Sequence, residues 1–255
     1  MNEFYNRMNI KNGGKTEVAL QILTKFNDKD TLVIDVGAGT CVIDKMLLEA
    51  DFKGSIIAID HNDNCDIKPT NNFQFLCNDL LLSMTDLMLF QLPTEKYKTI
   101  VIILSAILHE LSKEDLQYLA FLINTFTSFS YVNVNLIIRE PIDTNLLIKK
   151  TFEIHNSKEF KEYKKIHVSN NWSEEITFIN FCFLKSYGPN SWDREKHEGR
   201  FTYNDEEIHD FVKKCGLEIL AVTYEQDEFY KNTLPFDMYD NISYTGTLLE
   251  CGRRK

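Results

Sequence analysis

Residues 31–44 read TLVIDVGAGTCVID, an apolar run of strand length followed by two glycines one residue apart and a second apolar segment. Gly37 and Gly39 tolerate positive φ and let the backbone approach a bound molecule closely. An acid, Asp35, stands just before them. In an α/β sheet the turn after a strand lies at the carboxyl edge, where ligands bind. The stretch therefore predicts a strand, a ligand-binding turn and a helix.

Strand and helix patterns alternate on both sides of this turn. Further strands are predicted at residues 54–60, 72–79, 97–104, 131–140, 217–226 and 242–252. Helices are predicted at residues 15–26, 41–51, 112–129 and 204–216. Ser112 starts a capping-box pattern, and Asn204 is the expected N-cap of the last helix. Such alternation is typical of a parallel sheet with crossover helices.

The composition disfavours nucleic acid and membranes as partners. The 255 residues carry a formal net charge of -10, whereas proteins that bind duplex phosphate are usually basic. An anionic membrane surface is disfavoured for the same reason. The most apolar run is too short to span a bilayer, and the sequence shows no secretory signal. We therefore expect a cytoplasmic protein.

The cysteines predict free thiols, without disulfides or a metal site. They stand at positions 41, 65, 77, 182, 215 and 251, with no CxxC pair and no zinc-ligand spacing to a histidine. Cys77 and Cys182 lie inside apolar runs, so we expect buried, reduced thiols. The HE pair at His109 is no zinc motif, because the second histidine of H-E-x-x-H would fall at Lys113.

The glycine spacing separates two possible ligands. A dinucleotide-binding turn follows G-x-G-x-x-G, and its third glycine would fall at Val42. An NAD-dependent dehydrogenase is therefore disfavoured. Asp35 also fits poorly beside a pyrophosphate, whereas it suits a cationic ligand.

The string VIDVGAGTC resembles motif I of the class I S-adenosylmethionine-dependent methyltransferases, acid-x-Gly-x-Gly, with Cys41 where a third glycine is common. Asp60 at the end of the second strand matches the family's acid that hydrogen-bonds the ribose hydroxyls. Asp79, in CNDL after the third strand, matches the acid that reads the adenine amino group. The resemblance spans residues 30–140. It implies S-adenosylmethionine as the cofactor and S-adenosylhomocysteine as its product.

The resemblance also implies the fold, a Rossmann-like α/β domain. Its mostly parallel, seven-stranded sheet has the order 3-2-1-4-5-7-6, with helices on both faces and an antiparallel last strand. We expect one methyltransferase domain over residues 1–255. Its parts would be an N-terminal helical segment (1–30), the cofactor-binding core (31–140), a cap or substrate insertion (141–200), and a closing helix with a β-hairpin (201–255).

Cofactor-binding residues are expected in the turn and at the ends of the second, third and fourth strands. The resemblance implies Asp35, Gly37, Ala38, Gly39, Thr40, Asp60, His61, Asn78, Asp79, Leu80 and Ser105. Asp79 has an alternative interpretation as a helix N-cap, because apolar residues continue after it.

His109 and Glu110 follow the fourth strand, where the family places residues of the methyl-transfer site. They are the candidate catalytic residues, with His109 as a general base near neutral pH and Glu110 or Glu140 nearby. The alternative is a loop histidine that only packs.

Candidate substrate-binding residues are Tyr5, Arg139, Trp192, Arg194 and Glu195. The last three lie in SWDREKHEGRF, outside the core pattern. An aromatic side chain and a cation this close suit a lid or a substrate pocket, and a solvated charged turn is the alternative. The aromatic residues between positions 152 and 183 favour a satellite core over a base-stacking surface.

The resemblance therefore predicts O- or N-methylation of a small molecule. An RNA or protein acceptor is the first alternative, although the Asn/Asp-Pro-Pro-aromatic string of amino-methylating nucleic-acid enzymes is replaced here by LSAILHE. A non-catalytic S-adenosylmethionine-binding module is the second. Fold resemblance does not fix a substrate, and nothing in the sequence predicts the oligomeric state.

Overall fold

A seven-stranded sheet in the order β3-β2-β1-β4-β5-β7-β6 forms the centre of the chain in a computed structural model. Its strands are β1 (Thr31–Val36), β2 (Ser55–Asp60), β3 (Phe73–Cys77), β4 (Thr99–Ser105), β5 (Asn133–Pro141), β6 (Glu218–Glu225) and β7 (Gly246–Gly252). The pairs from β3 to β5 are parallel, and β7 is antiparallel to both β5 and β6. The predicted order and the antiparallel last strand are confirmed.

The structure describes residues 14–88, 96–141, 157–168, 203, 205–225 and 246–253, together with positions 174, 177, 178 and 181. The helices are α1 (Gly14–Lys25), α2 (Val42–Glu49), α3 (Leu80–Asp86), α4 (Lys113–Ser128), α5 (Lys158–Ile166) and α6 (Asp205–Lys214), with a short 3-10 helix at Leu108–Glu110. None of the helices in these ranges has the length and apolar character needed to cross a membrane.

Helices cover both faces of the sheet, because the side chains of its central strands alternate between two apolar cores. In β1, Leu32 and Ile34 belong to the core that includes α3, α4 and α6, whereas Val33 belongs to the core that includes α1 and α2. A strand buried on both faces requires a near-continuous apolar run. This requirement explains the composition of TLVIDV in β1 and TIVIILS in β4.

Local signals in the sequence set the start of α4 and the end of α6. Ser112 Oγ accepts a hydrogen bond from the Asp115 N–H at 3.1 Å, which completes the predicted capping box of α4. Gly216, just beyond α6, has φ of +74°, a conformation that favours glycine after a helix. The predicted N-cap Asn204 lies outside the described residues.

The described part of the predicted insertion contains a small aromatic cluster. Phe160 and Tyr163 of α5 are fully buried. The Phe160 ring meets Phe178 edge-on at a centroid distance of 5.0 Å, and both α5 rings contact Phe181. Rings packed against one another in this way form a satellite core, as the sequence predicted. The boundaries of the domain and of its insertion stay predictions.

The burial of the cysteines differs from the prediction at one position. Cys41, Cys215 and Cys251 are buried and free, as predicted, and Cys65 is half-buried. Cys77 is exposed, so the prediction that its apolar surroundings bury it was wrong. The reason is its position, since β3 is an edge strand and Cys77 is its last residue.

Candidate functional site

The glycine turn joins the carboxyl end of β1 to α2 and lies against the end of β2. Gly37 and Gly39 have φ of +75° and +60°, which glycine adopts without steric cost. The N–H groups of Gly37 and Ala38 both donate to the Ile59 carbonyl at 2.9 Å. Cys41 follows as the N-cap of α2. The turn is therefore held by backbone hydrogen bonds, with the amino end of a helix beside it.

Asp60, the last residue of β2, completes the turn with its carboxylate. Its Oδ2 accepts a hydrogen bond from the Gly39 N–H, and its Oδ1 accepts one from the Asn62 N–H, each at 2.8 Å. An ionised carboxylate has about four acceptor positions, so further donors can bind it. His61 is exposed beside it, with Nδ1 3.6 Å from Asp60 Oδ1. The turn and the acid expected to bind ribose therefore meet at one edge of the sheet.

A row of polar side chains ends the strands on the face that α1 and α2 cover. The row consists of Asp35, Asp60, Ser105 and Arg139, each two positions after an apolar residue of that face (Val33, Ala58, Ile103 and Ile137). Side chains two residues apart in a strand point to the same face. The row is buried, with exposures of 2%, 7%, 5% and 5% in strand order. The apolar face thus turns polar at the carboxyl edge.

Asp35 belongs to a buried group of charged residues. Its charged neighbours include Asp44 in the first turn of α2 and Lys15 on α1, and Arg139 lies close to Lys15. Burial raises the pKa of Asp35 well above its ordinary value, and the nearby Asp44 raises it further. Burial also raises the pKa of Asp44 to about 6 and lowers the pKa of Lys15. The two adjacent carboxyl groups therefore favour sharing a proton over carrying two negative charges.

Several buried polar atoms in this region lack a hydrogen bond of good geometry. Within the described ranges they are Asp35 Oδ1, both oxygens of Asp44 and Ser105 Oγ, although the Asp44 carboxyl lies close to Asp35, to its own N–H and to Cys41. Unsatisfied buried polar groups cost free energy. A Cβ on Gly39 would meet nothing within 4 Å, so the turn borders open space. These features fit an organic cation, because acids are present to bind it and a glycine backbone allows close approach.

The segment after β3 lies beside Asp60 and begins α3. The Asn78 N–H donates to the Asp60 carbonyl at 3.0 Å. Asp79 Oδ1 accepts a 3.0 Å hydrogen bond from the Leu82 N–H, so the N-cap interpretation of Asp79 is confirmed. Asn78 and Asp79 are exposed, and Leu80 is half-buried. Contact of Asp79 with adenine stays a prediction, which the cap does not exclude.

Glu140 contacts three consecutive residues of the segment that follows β4. Its Oε1 accepts hydrogen bonds from the Ile107 N–H at 3.0 Å and the Leu108 N–H at 2.7 Å. Its Oε2 lies 2.8 Å from His109 Nδ1. Glu110, the predicted partner adjacent in sequence, is exposed, and its Oε1 is 3.9 Å from His109 Nε2. The closer carboxylate partner of the candidate base is thus Glu140.

This segment touches the glycine turn directly. A Cβ on Gly37 would lie 2.7 Å from Cδ1 and Cγ1 of Ile107, closer than real Cβ contacts. Gly37 is therefore required both by its φ and by this contact. The residue that precedes the Leu108–Glu110 helix therefore packs against the turn, two positions before His109.

The structure brings most of the predicted site together at one sheet edge. Thr40 is half-buried in the turn. Arg139, predicted to bind substrate, is buried near Lys15. Its role, like the roles of the other site residues, stays a prediction. Tyr5, Trp192, Arg194 and Glu195 lie outside the described residues.

Lys15 and Asp44 are members of the buried charge group that the sequence did not mark as site residues. Lys15 stands three, four and seven positions before Val18, Ala19 and Ile22, all buried. Asp44 likewise stands three positions before the buried Leu47. A charged residue in register with an apolar helix stripe is a signal that could have found both.

No protein-family model and no curated protein matches this sequence. Solved structures do match it. A SAM-dependent methyltransferase from Archaeoglobus fulgidus is 11% identical with a TM-score of 0.52, over 98% of this chain and 99% of that one. The cyclopropane synthase MmaA2 from Mycobacterium tuberculosis is 10% identical with a TM-score of 0.54, over 94% and 83%.

A third match is the plantazolicin methyltransferase BamL, solved in complex with a triazolic desmethylPZN analog and SAH. It is 14% identical with a TM-score of 0.50, over 99% of this chain and 89% of that one. At such identities the similarity concerns the fold. The chain has the Rossmann-like fold of the class I SAM-dependent methyltransferases, which confirms the fold that the resemblance implied.

Proposed function

We propose that this protein transfers the methyl group of S-adenosylmethionine to an oxygen or nitrogen atom of a small molecule. The observation that carries the proposal is the junction of the glycine turn with Asp60, beside the buried and donor-poor Asp35. S-adenosylmethionine supplies a methyl group on a cationic sulfonium, and transfer to an O–H or N–H group leaves neutral S-adenosylhomocysteine and one released proton.

Each part of the junction has a role in binding. The backbone at Gly37 and Gly39 admits the cofactor closely, and Asp60 accepts hydrogen bonds from its ribose hydroxyls. Asp35 favours its positive charge, since a further cation nearby stabilises the ionised form of a buried acid whose Oδ1 has no hydrogen-bond partner. Ala38, Thr40, His61, Asn78, Asp79, Leu80 and Ser105 would complete the cofactor's surroundings.

His109 is the proposed catalytic base, and Glu110 lies beside it. The imidazole would accept the proton that an acceptor O–H or N–H loses as methyl transfer proceeds. An acceptor nitrogen that is neutral and already has a lone pair would need no base, and His109 would then position it. Arg139, with Tyr5, Trp192, Arg194 and Glu195, would bind the acceptor.

The charge of the protein bears on the class of acceptor. A net charge of -10 disfavours a nucleic-acid acceptor and favours a small molecule. We also propose a cytoplasmic location for the protein, which the free thiols of the described chain support.

Calorimetric titration with S-adenosylmethionine, S-adenosylhomocysteine and NAD tests the cofactor assignment. We expect the first two to bind and NAD not to bind. Asp60→Ala should weaken binding at least about tenfold, because each hydrogen bond to a charged group contributes about 1.5–3 kcal/mol. Asp63→Ala is the matched control, since Asp63 is exposed three residues further on.

Binding of NAD would contradict the cofactor assignment. So would equal binding of S-adenosylmethionine by Asp60→Ala and wild type. The Asp60→Asn variant keeps the side-chain size and guards against a loss that reflects only a disturbed turn. An acceptor screen for S-adenosylhomocysteine release then tests turnover. Binding without release from any acceptor class would favour the non-catalytic module, and release with RNA or protein alone would exclude a small-molecule acceptor.

A further inference from the structure

We propose that Glu140 is a positioning residue for His109: it holds the imidazole with its proton on Nδ1, which makes Nε2 the nitrogen that takes up the acceptor's proton. The inference rests on the proposed function, in which His109 is the base. It identifies the group that selects the reactive nitrogen.

The tautomer follows from the chemistry of the two partners. An ionised carboxylate only accepts hydrogen bonds, so the 2.8 Å contact between Glu140 Oε2 and His109 Nδ1 requires Nδ1 to donate. In neutral imidazole one nitrogen carries the proton and the other is an acceptor. Nε2 is therefore the basic nitrogen of His109.

The Glu140 carboxylate is itself held by the backbone. The Ile107 and Leu108 N–H groups both donate to Oε1, at 3.0 Å and 2.7 Å. These two bonds anchor Oε1, and the other oxygen, Oε2, faces the imidazole. One side chain from β5 thereby orients three consecutive residues after β4.

The surroundings strengthen this contact. The side chains of His109 and Glu140 are 15% and 18% exposed, so solvent screens their interaction only partly. When Nε2 takes up a proton, the imidazolium stands against the Glu140 carboxylate, which stabilises its charge. A carboxylate has the same role behind the histidine of serine proteases, where exchange for an amide selects the wrong tautomer.

Glu140→Gln separates positioning from packing. Glutamine has the same shape, and its carbonyl oxygen can accept the Ile107 and Leu108 N–H bonds. Its NH₂ group then faces His109 Nδ1 and donates, so Nδ1 must become the acceptor. We expect the proton to move to Nε2, which inverts the tautomer. Nitrogen-15 NMR of the neutral imidazole measures this, with His109→Asn used to assign the signals.

Two further variants complete the test. Glu140→Asp keeps a carboxylate and should keep the proton on Nδ1. Glu114→Gln is the matched control, because Glu114 is an exposed glutamate in the first turn of α4. A proton on Nε2 in the wild type, or on Nδ1 in a folded Glu140→Gln, overturns the proposal. Should Glu140→Gln fail to fold, the wild-type and Glu140→Asp spectra decide, since both must show Nδ1–H.

Titration of the same samples with S-adenosylhomocysteine keeps the two proposals apart. We expect wild type and Glu140→Gln to bind it equally, because the glutamine carbonyl can still accept the Ile107 and Leu108 N–H bonds that hold this segment against the turn. Binding together with an unchanged tautomer in Glu140→Gln overturns the inference alone. An inverted tautomer without any binding by the wild type overturns the proposed function.

Discussion

The carboxylates in two regions of one sheet edge have opposite hydrogen-bonding environments. In the turn region (Asp35, Asp44 and the glycine turn), Asp35 Oδ1 and both oxygens of Asp44 are buried and make no hydrogen bond of good geometry in the described chain. In the Glu140 region (Glu140 and residues 107–109), one carboxylate has three donors. A satisfied network fixes its members in place, whereas unsatisfied buried groups gain from a ligand. The first region is therefore suited to binding a cation and the second to orienting a side chain.

The contact between the two regions should be the most sensitive point. Gly37→Ala forces an L-residue to φ of +75° and drives its Cβ into Ile107. We expect a loss of about 2–5 kcal/mol in the free energy of unfolding, from backbone strain and overpacking. Urea denaturation measures it.

Gly39→Ala is the matched control for that change. Its φ of +60° gives comparable strain, but its Cβ meets no atom within 4 Å. We expect a loss of about 1–2 kcal/mol, together with weaker S-adenosylhomocysteine binding, because the methyl group enters the open space. Equal destabilisation by the two variants would contradict the contact with Ile107.

Removing the hydrogen-bonded Glu140 carboxylate should lower the free energy of unfolding. Glu140→Ala leaves the Ile107 and Leu108 N–H groups without their acceptor. We expect a loss of about 2–4 kcal/mol, since hydrogen bonds to charged groups contribute about 1.5–3 kcal/mol each and part of the loss is recovered by water. Glu114→Ala, at an exposed position, should lose far less in the same denaturation experiment.

Removing the Asp44 carboxylate should change how the free energy of unfolding depends on pH. A raised pKa means that folded Asp44 binds its proton more tightly than the unfolded chain does. Its contribution is complete below the ordinary value of 3.8 and is lost as the pH rises through about 6. In that window each such group lowers the unfolding free energy by about 1.4 kcal/mol per pH unit.

Asp44→Asn should therefore flatten the decline in stability with rising pH. It should also lower the pKa of Asp35, because Asp44 is one cause of its elevation. Lys15 and Cys41 are the other titratable groups close to Asp44, and they stay in place in this variant. The test is to measure the free energy of unfolding of wild type, Asp44→Asn and the exposed control Asp63→Asn between pH 3.8 and about 6. If Asp44→Asn does not change the slope of this free energy against pH, the shared proton is contradicted.

The smallest expected effect concerns Asp79, which has both a structural and a proposed binding role. Asp79→Ala removes the cap of α3 and should cost about 1 kcal/mol. Asp79→Ser restores a capping oxygen without the carboxylate. If the carboxylate reads adenine, the serine variant recovers stability but not affinity for S-adenosylhomocysteine. Full recovery of both would leave Asp79 as a cap alone.

The strand order was predictable because local signals and the resemblance agreed. The run TLVIDV became β1 with its predicted bounds, and the capping box placed the start of α4. The meeting of the glycine turn with Asp60 was also implied, since consecutive parallel strands end at the same edge. These features depend on residues near each other in the chain or on one repeated pattern.

Contacts between residues far apart in the chain were harder to predict from the sequence. Cys77 has apolar neighbours in sequence, yet it is exposed because β3 is an edge strand. Glu140 was named only as a neighbour of His109, and no spacing rule joins residues 31 positions apart. Lys15 and Asp44 are adjacent to Asp35 only after α1 and α2 pack on the same face.

The sequence by itself determined the elements, the glycine turn and the acids that end its neighbouring strands. Periodicity and capping act over a few residues, so they are present in the linear chain. Only the tertiary structure decided which carboxylates have donors and which share a proton. Those properties depend on burial and on the distance between groups that packing brings together, and the charge of a residue takes its functional meaning from them.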